Sequence, residues 1–218
     1  MKGLLVKDFR LMKGQKNFLV LLFIMIAFVF ISGMDASFFM GYLPFLLMIA
    51  AMSTITYDEF DNGMAFLMVL PISRKLYVQE KYLFGGVLGF TGLASAFVLF
   101  LISEINKGSS MTFTQYVLLF LCFLAFVILF LCLMIPIQLK FGSEKGRIVL
   151  FIIFFGIIGM VYLVSKITDK IPAQVIEVFR GIQKLPFGIL AALAVGIYIL
   201  ALFISLKISL GIMEKKEW

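Results

Sequence analysis

Histidine is absent from the 218-residue sequence, cysteine occurs twice, and charged residues make up only 14% of it. Without histidine there is no Ser-His-Asp triad and no imidazole-bearing metal site, and no HExxH, CxxC or GxSxG pattern is present. The phosphate-cradling pattern GxxxxGK[ST] is also missing, so any ATP used on this protein's behalf must be hydrolysed by another chain. Cys122 and Cys132 fall in one apolar run, about 15 Å apart along a helix axis. That is too far for a disulfide within one helix, and both read as small polarizable core residues. The shortage of charge goes with 63% hydrophobic residues and a mean hydropathy of +1.13, which exclude water-soluble folding.

What is present is a series of long runs without Asp, Glu, Lys or Arg. Crossing a hydrocarbon core of roughly 30 Å takes about 20 apolar helical residues. Six runs qualify: Phe18 to Met34, Phe38 to Thr56, Tyr82 to Ile102, Tyr116 to Ile137, Ile148 to Val164 and Phe187 to Leu206, the first and fifth being short. The runs are continuous, whereas barrel strands alternate apolar and polar residues, so the expected fold class is an all-α, polytopic membrane protein with six transmembrane helices. The first run comes after sixteen mostly charged or amphipathic residues and ends in a poor cleavage signal, so no cleavable leader is expected. Pro44 and Pro136 are expected to bend spans two and four. Gly85, Gly89 and Gly92 leave one face of span three without side chains, a surface for close helix packing.

Basic residues in short loops stay cytoplasmic more often than they cross. Placing both termini inside leaves only Lys107, Lys166, Lys170, Arg180 and Lys184 of the 19 basic residues on the outer side. The net charge of +7 then reads as span-flanking charge facing an anionic inner leaflet, not as a nucleic-acid footprint.

Three segments outside the spans carry further information within one 218-residue transmembrane domain. Residues 1–16 read as a basic amphipathic interfacial helix, with Leu5, Phe9 and Met12 on one side and Lys7, Arg10, Lys13 and Lys16 available to the inner leaflet. In residues 166–184, Ile171, Val175, Val178, Phe179 and Ile182 share one helical face, which predicts an amphipathic outer helix before span six. The segment 57–81 between spans two and three is the most specific. Acidic residues open a short helix in which Phe60, Met64, Leu67 and Met68 form an apolar stripe, and Leu70-Pro71 ends it because proline disfavours the helical conformation of its predecessor. Lipid seldom calls for Asp58, Glu59 and Asp61 on a positive inner face; a protein partner accounts for them better.

The run from Glu59 through Gly63 to Leu70-Pro71-Ile72-Ser73-Arg74, and on to Lys81, resembles the ABC type-2 exporter permeases. In such permeases this loop holds the coupling helix that sits in a cleft of a partner ATP-binding-cassette ATPase, and the layout of amphipathic N-terminal helix, six spans and outer helical segment is similar too. The spelling of the loop is most similar to Gram-positive permeases that export amphipathic or antimicrobial peptides, including the phenol-soluble modulin exporter. The resemblance implies a permease subunit of the bacterial cytoplasmic membrane, paired with a second identical or related copy. It implies no cofactor in this chain, ATP and Mg residing on the ATPase. It also implies docking through Asp58, Glu59, Phe60, Gly63, Met64 and Leu67, with Pro71 and Arg74 fixing the turn.

Two other classes compete. One is a membrane immunity or sensor protein that needs no ATPase; the other is an intramembrane protease, which would need paired aspartates or a Ser-His pair at membrane depth that the spans lack. Ionisable groups are nearly absent from the spans, which argues against a proton or ion relay. The 26 phenylalanines, together with Met, would give an adaptable apolar wall to a greasy substrate. A reporter fused at Lys107 is expected to be shielded from the cytoplasm; cytoplasmic exposure there would invert the topology.

Overall fold

The computed structural model describes residues 1–14, 20, 22–27, 37–60, 63–107, 112–167 and 187–216, and among them every regular element is helical. The order is α1 (Lys2–Gly14), α2 (Ser37–Glu59), α3 (Gly63–Val69), α4 (Arg74–Lys107), α5 (Phe113–Ile167) and α6 (Phe187–Lys215), with a short helical stretch at 22–27 between the first two. Among the described residues, four stretches are long and apolar enough to cross a membrane: Ser37–Glu59, Arg74–Ile105, Phe113–Gly142 and Ala192–Lys215. These correspond to the second, third, fourth and sixth expected spans. Most of the first lies outside the described residues, and the fifth forms the second leg of α5. The outer amphipathic segment lies outside them from its third residue onward.

Local chemistry sets the boundaries. Pro71 stops α3, and Ser73 opens α4: its hydroxyl accepts from the Leu76 amide at 3.2 Å and its carbonyl from the Tyr77 amide at 3.1 Å. At α5, Thr112 and Gln115 form a reciprocal cap, the Gln115 amide donating to the Thr112 carbonyl at 2.9 Å while the Thr112 amide donates to Gln115 Oε1 at 2.8 Å. The long α5 is two helices meeting at Gly142, whose φ of +73° is open to glycine and strained for other residues.

Helices α2, α4, α5 and α6 pack together, and α1 lies against α2 and α4. Between apolar helices in lipid, association rests on close packing and interhelical hydrogen bonds. The glycine face of α4 is where α2 and α5 come closest. A Cβ at Gly85 would sit 2.7 Å from Leu131 Cδ2, at Gly89 2.7 Å from Val127 Cγ1, and at Gly92 2.8 Å from Pro44 Cα. The first two obstacles are side chains that can turn; the third is backbone, at the proline inside α2. Hydrogen bonds complete the packing. Gln138 Nε2 on α5 donates to the Met52 carbonyl and Thr56 Oγ1 on α2, both at 2.9 Å. Tyr82 on α4 meets Ser205 and Ser209 on α6 at 2.5 and 2.9 Å, and the Ser205 hydroxyl donates to the Cys132 carbonyl on α5 at 2.6 Å. Both cysteines are free thiols.

Gly92→Ala is expected to lower the thermal midpoint of the detergent-solubilised protein by an overpacking cost of roughly 1–3 kcal/mol. Gly86→Ala, which meets open space, should leave the midpoint unchanged or raise it.

Candidate functional site

The inner faces of α1, α2 and α4 converge on charge. Along α1, Leu4, Asp8 and Met12 recur every four residues, so all three point the same way. Leu4 is buried and Met12 packs against the core, which carries Asp8, the one acidic residue of this helix, to full burial. Lys81, one turn into α4 from Tyr77, is 2% exposed, and Asp58, at the end of α2, is 5% exposed.

These groups bond to one another. Lys81 Nζ pairs with Asp8 Oδ2, lies 3.0 Å from Asp58 Oδ2, donates to Thr54 Oγ1 at 3.0 Å and sits 5.2 Å from the Tyr77 ring centroid. The other oxygen of Asp58 receives Lys7, and its Oδ2 also accepts from the Tyr77 hydroxyl at 3.0 Å. Thr54 Oγ1 reaches Asp8 Oδ2 at 3.1 Å while bonding its own helix at the Ala51 carbonyl, 2.8 Å away. Glu80 is fully buried beside them, 3.8 Å from Lys81 Nζ. Three carboxyl groups thus face two ammonium groups, and among the described residues Asp8 Oδ1, 3.3 Å from Lys7 Nζ, and both Glu80 oxygens receive no hydrogen bond.

This cluster changes several expectations. Lys7, expected on the inner-leaflet face, turns toward Asp58 and Asp8; Arg10 and Lys13 are exposed, and Lys16 lies outside the described residues. Helix α1 is accordingly packed on protein, with Phe9 edge-on to Phe84 of α4 at 5.4 Å. Lys81, expected among the charges of the connecting loop, is interior. The loop itself is shorter than the 57–81 expected, because α2 runs to Glu59 and α4 starts at Arg74.

Within that loop, α3 presents two faces. Met64 is 1% exposed, and Leu67 and Met68 pack against the core, so this part of the anticipated docking stripe is turned inward along with Asp58. Outward stand Phe60, Phe66 and Val69, at 70%, 71% and 84% exposure, with Leu70 beside them. Gly63 lets the backbone fold back on the end of α2: a Cβ there would come within 3.0 Å of the Asp58 carbonyl oxygen. Pro71 is exposed at the turn. The two remaining residues of the expected docking set grip the end of α6. Arg74 donates to the carbonyls of Met213 and Glu214 at 3.1 and 2.6 Å, and Glu59 accepts from Lys216 at 3.1 Å.

Sequence reasoning does not find Asp8, Thr54, Tyr77 or Glu80. For Asp8 a signal exists: an acidic residue four positions from Leu4 and four from Met12, on the apolar side of a basic helix. No group of His, Cys, Asp or Glu among the described residues is arranged to hold a metal ion.

Removing one partner of a buried ion pair leaves an uncompensated charge and costs about 3–5 kcal/mol. Lys81→Met is therefore expected to collapse thermal stability in detergent, since it strands Asp8 and Asp58 together. Glu80→Gln, which removes the surplus buried carboxyl group, should be neutral or stabilising by the same measurement.

A family model described as "ABC-2 family transporter protein" matches residues 3–214. No curated protein and no solved structure matches the chain.

Proposed function

Because the chain belongs to the ABC-2 transporter family, we propose that it is the permease subunit of an ATP-binding-cassette exporter and that α3 with its flanking residues is the segment that docks on a separate ATPase chain. The observation that carries this reading is the two-sidedness of α3 and its flanking residues: an inner face of Met64, Leu67 and Met68 against the core, and an outer face of Phe60, Phe66, Val69 and Leu70. Large exposed aromatic side chains are the kind of anchor that fills a pocket in a partner. Behind them, the charge cluster and the Met64 contact supply the stiffness that a force-transmitting element requires.

In this reading the end of the bundle that holds α1, α3, the start of α4 and the end of α6 faces the cytoplasm of a bacterial cell, and both termini lie there. ATP and Mg act on the ATPase, and this chain holds no cofactor. Two permease copies, identical or related, line the pathway, and ATP-driven closure of the two ATPases rotates them against each other. The spans offer an apolar, phenylalanine-rich wall, which suits amphipathic or hydrophobic cargo. Antimicrobial or cytolytic peptides, of the kind moved by the phenol-soluble modulin exporter whose loop spelling is similar, fit that description. The docking set is revised from the sequence-based one: Phe60, Phe66, Val69 and Leu70 make contact, while Asp58, Gly63 and Met64 hold the segment in place.

Phe60→Asp combined with Phe66→Asp should abolish co-purification of an ATPase subunit from native membranes while leaving the thermal midpoint of the permease within the range of the unaltered protein, because both side chains are exposed. Undiminished recovery of the ATPase would remove α3 from the docking role. Recovery of the unaltered permease with no ATPase at all would favour an ATPase-independent sensor or immunity protein.

A further inference from the structure

The connection between α2 and α4 leaves at Glu59 and returns at Arg74, and both of these residues hold the same end of α6. On one side, Lys216 donates to Glu59 Oε1 at 3.1 Å; on the other, the Arg74 guanidinium donates to the Met213 and Glu214 carbonyls. The last carbonyls of a helix have no donors within the helix, and a guanidinium is always charged, so Arg74 supplies charge-assisted bonds at the negative end of the α6 dipole. Between the two grips, the Met213 side chain is fully buried in the core that also holds Met64 of α3. Lys216 also donates to the Leu139 carbonyl at 3.0 Å, three residues before α5 breaks at Gly142, and a Cβ on Gly142 would lie 3.4 Å from Glu59 Oε2. Four elements therefore meet at one clasp: the end of α2, the start of α4, the end of α6 and the break in α5.

Further along α6, Ser209 and Ser205 precede Met213 at intervals of four residues, so the three share one face. Through that face α6 bonds Tyr82 of α4 and the Cys132 carbonyl of α5. A loop fixed at both ends to one helix cannot swing without moving that helix, and α6 is a continuous rod of 29 residues with no proline in it.

We infer that Glu59, Arg74 and Lys216 are positioning residues that clasp the coupling loop to the inner end of α6, making α6 the helix that carries displacement of α3 into the membrane. This rests on the docking reading of α3 for its functional meaning. The clasp itself is a property of this chain alone, so the two can be tested apart.

The first measurement needs no ATPase. Nitroxide spin labels are placed at Val69→Cys on α3 and Ile208→Cys on α6, both exposed, in a background with Cys122→Ser and Cys132→Ser, and the full chain is studied in lipid nanodiscs. The unaltered clasp should give one narrow distance. Arg74→Met with Lys216→Met should broaden it, whereas Lys216→Arg, which keeps the charge and the donors, should not. Lys216 is about one quarter exposed, so Lys216→Met alone, expected to broaden the distance in part, is the variant least exposed to a folding defect. A distribution unchanged in the double variant overturns the clasp. The second measurement uses the complex recovered from native membranes, with labels at Leu193→Cys on α6 and Phe113→Cys on α5, both exposed. The ATP-dependent change in their separation should be lost in the double variant while the ATPase subunit is still recovered. Persistence of that change would overturn the role of α6. Failure to recover any ATPase with the unaltered chain would sink the docking reading and leave the first measurement to decide the clasp.

Discussion

Lys81 is an ammonium group 2% exposed near the start of a helix that enters a hydrocarbon layer. A charge so placed persists only with counter-charges and hydrogen bonds that replace its water. Asp8 and Asp58 are the counter-charges, and they come from two other helices, so the ion group can exist only when α1, α2 and α4 are assembled in one register. Tyr77 and Thr54 complete the shell. Because every member depends on the others, the cluster acts as a lock: it fixes the angle at which α2 ends and α4 begins, and hence where the short α3 between them stands.

The rest of this end of the bundle is arranged around that lock. Met64 and Met213 anchor α3 and α6 in the core beside it, and Arg74 and Glu59 tie the loop to the end of α6. What is left outward on α3 is an aromatic and aliphatic surface backed by the packed core. Farther into the bundle the cohesion changes character. There the glycine face of α4 brings backbones close, and isolated hydroxyl and amide bonds join the spans to one another, each modest in strength as is usual between membrane helices. An ionic end joined to an apolar bundle held by isolated hydrogen bonds is consistent with the docking role proposed for α3.

The cluster brings together one more carboxyl group than ammonium groups, and among the described residues neither oxygen of the fully buried Glu80 receives a hydrogen bond. Asp8 and Lys7 together bring α1 into the group, which makes this helix a structural member of the bundle.

The sequence by itself determined the features that rest on summed hydropathy and on near neighbours. Runs such as Tyr82 to Ile102 and Tyr116 to Ile137 have to be helices in lipid, the α3 stop at Leu70-Pro71 is a matter of proline stereochemistry, and the Gly85, Gly89 and Gly92 face is set by helical spacing. Each depends on residues a few positions away. Only the tertiary structure decided which charged residues meet solvent and which are interior. Lys7, Asp58 and Lys81 look like solvent-facing charges in the sequence because their partners are remote: 51 residues separate Lys7 from Asp58, and 73 separate Asp8 from Lys81. Likewise Met64 and Phe66 are indistinguishable as apolar residues of one short helix, and only the position of the core separates the one that is buried from the one that is free. Hydropathy is additive along a chain and can be read there, whereas the pairing of charges depends on which helices meet.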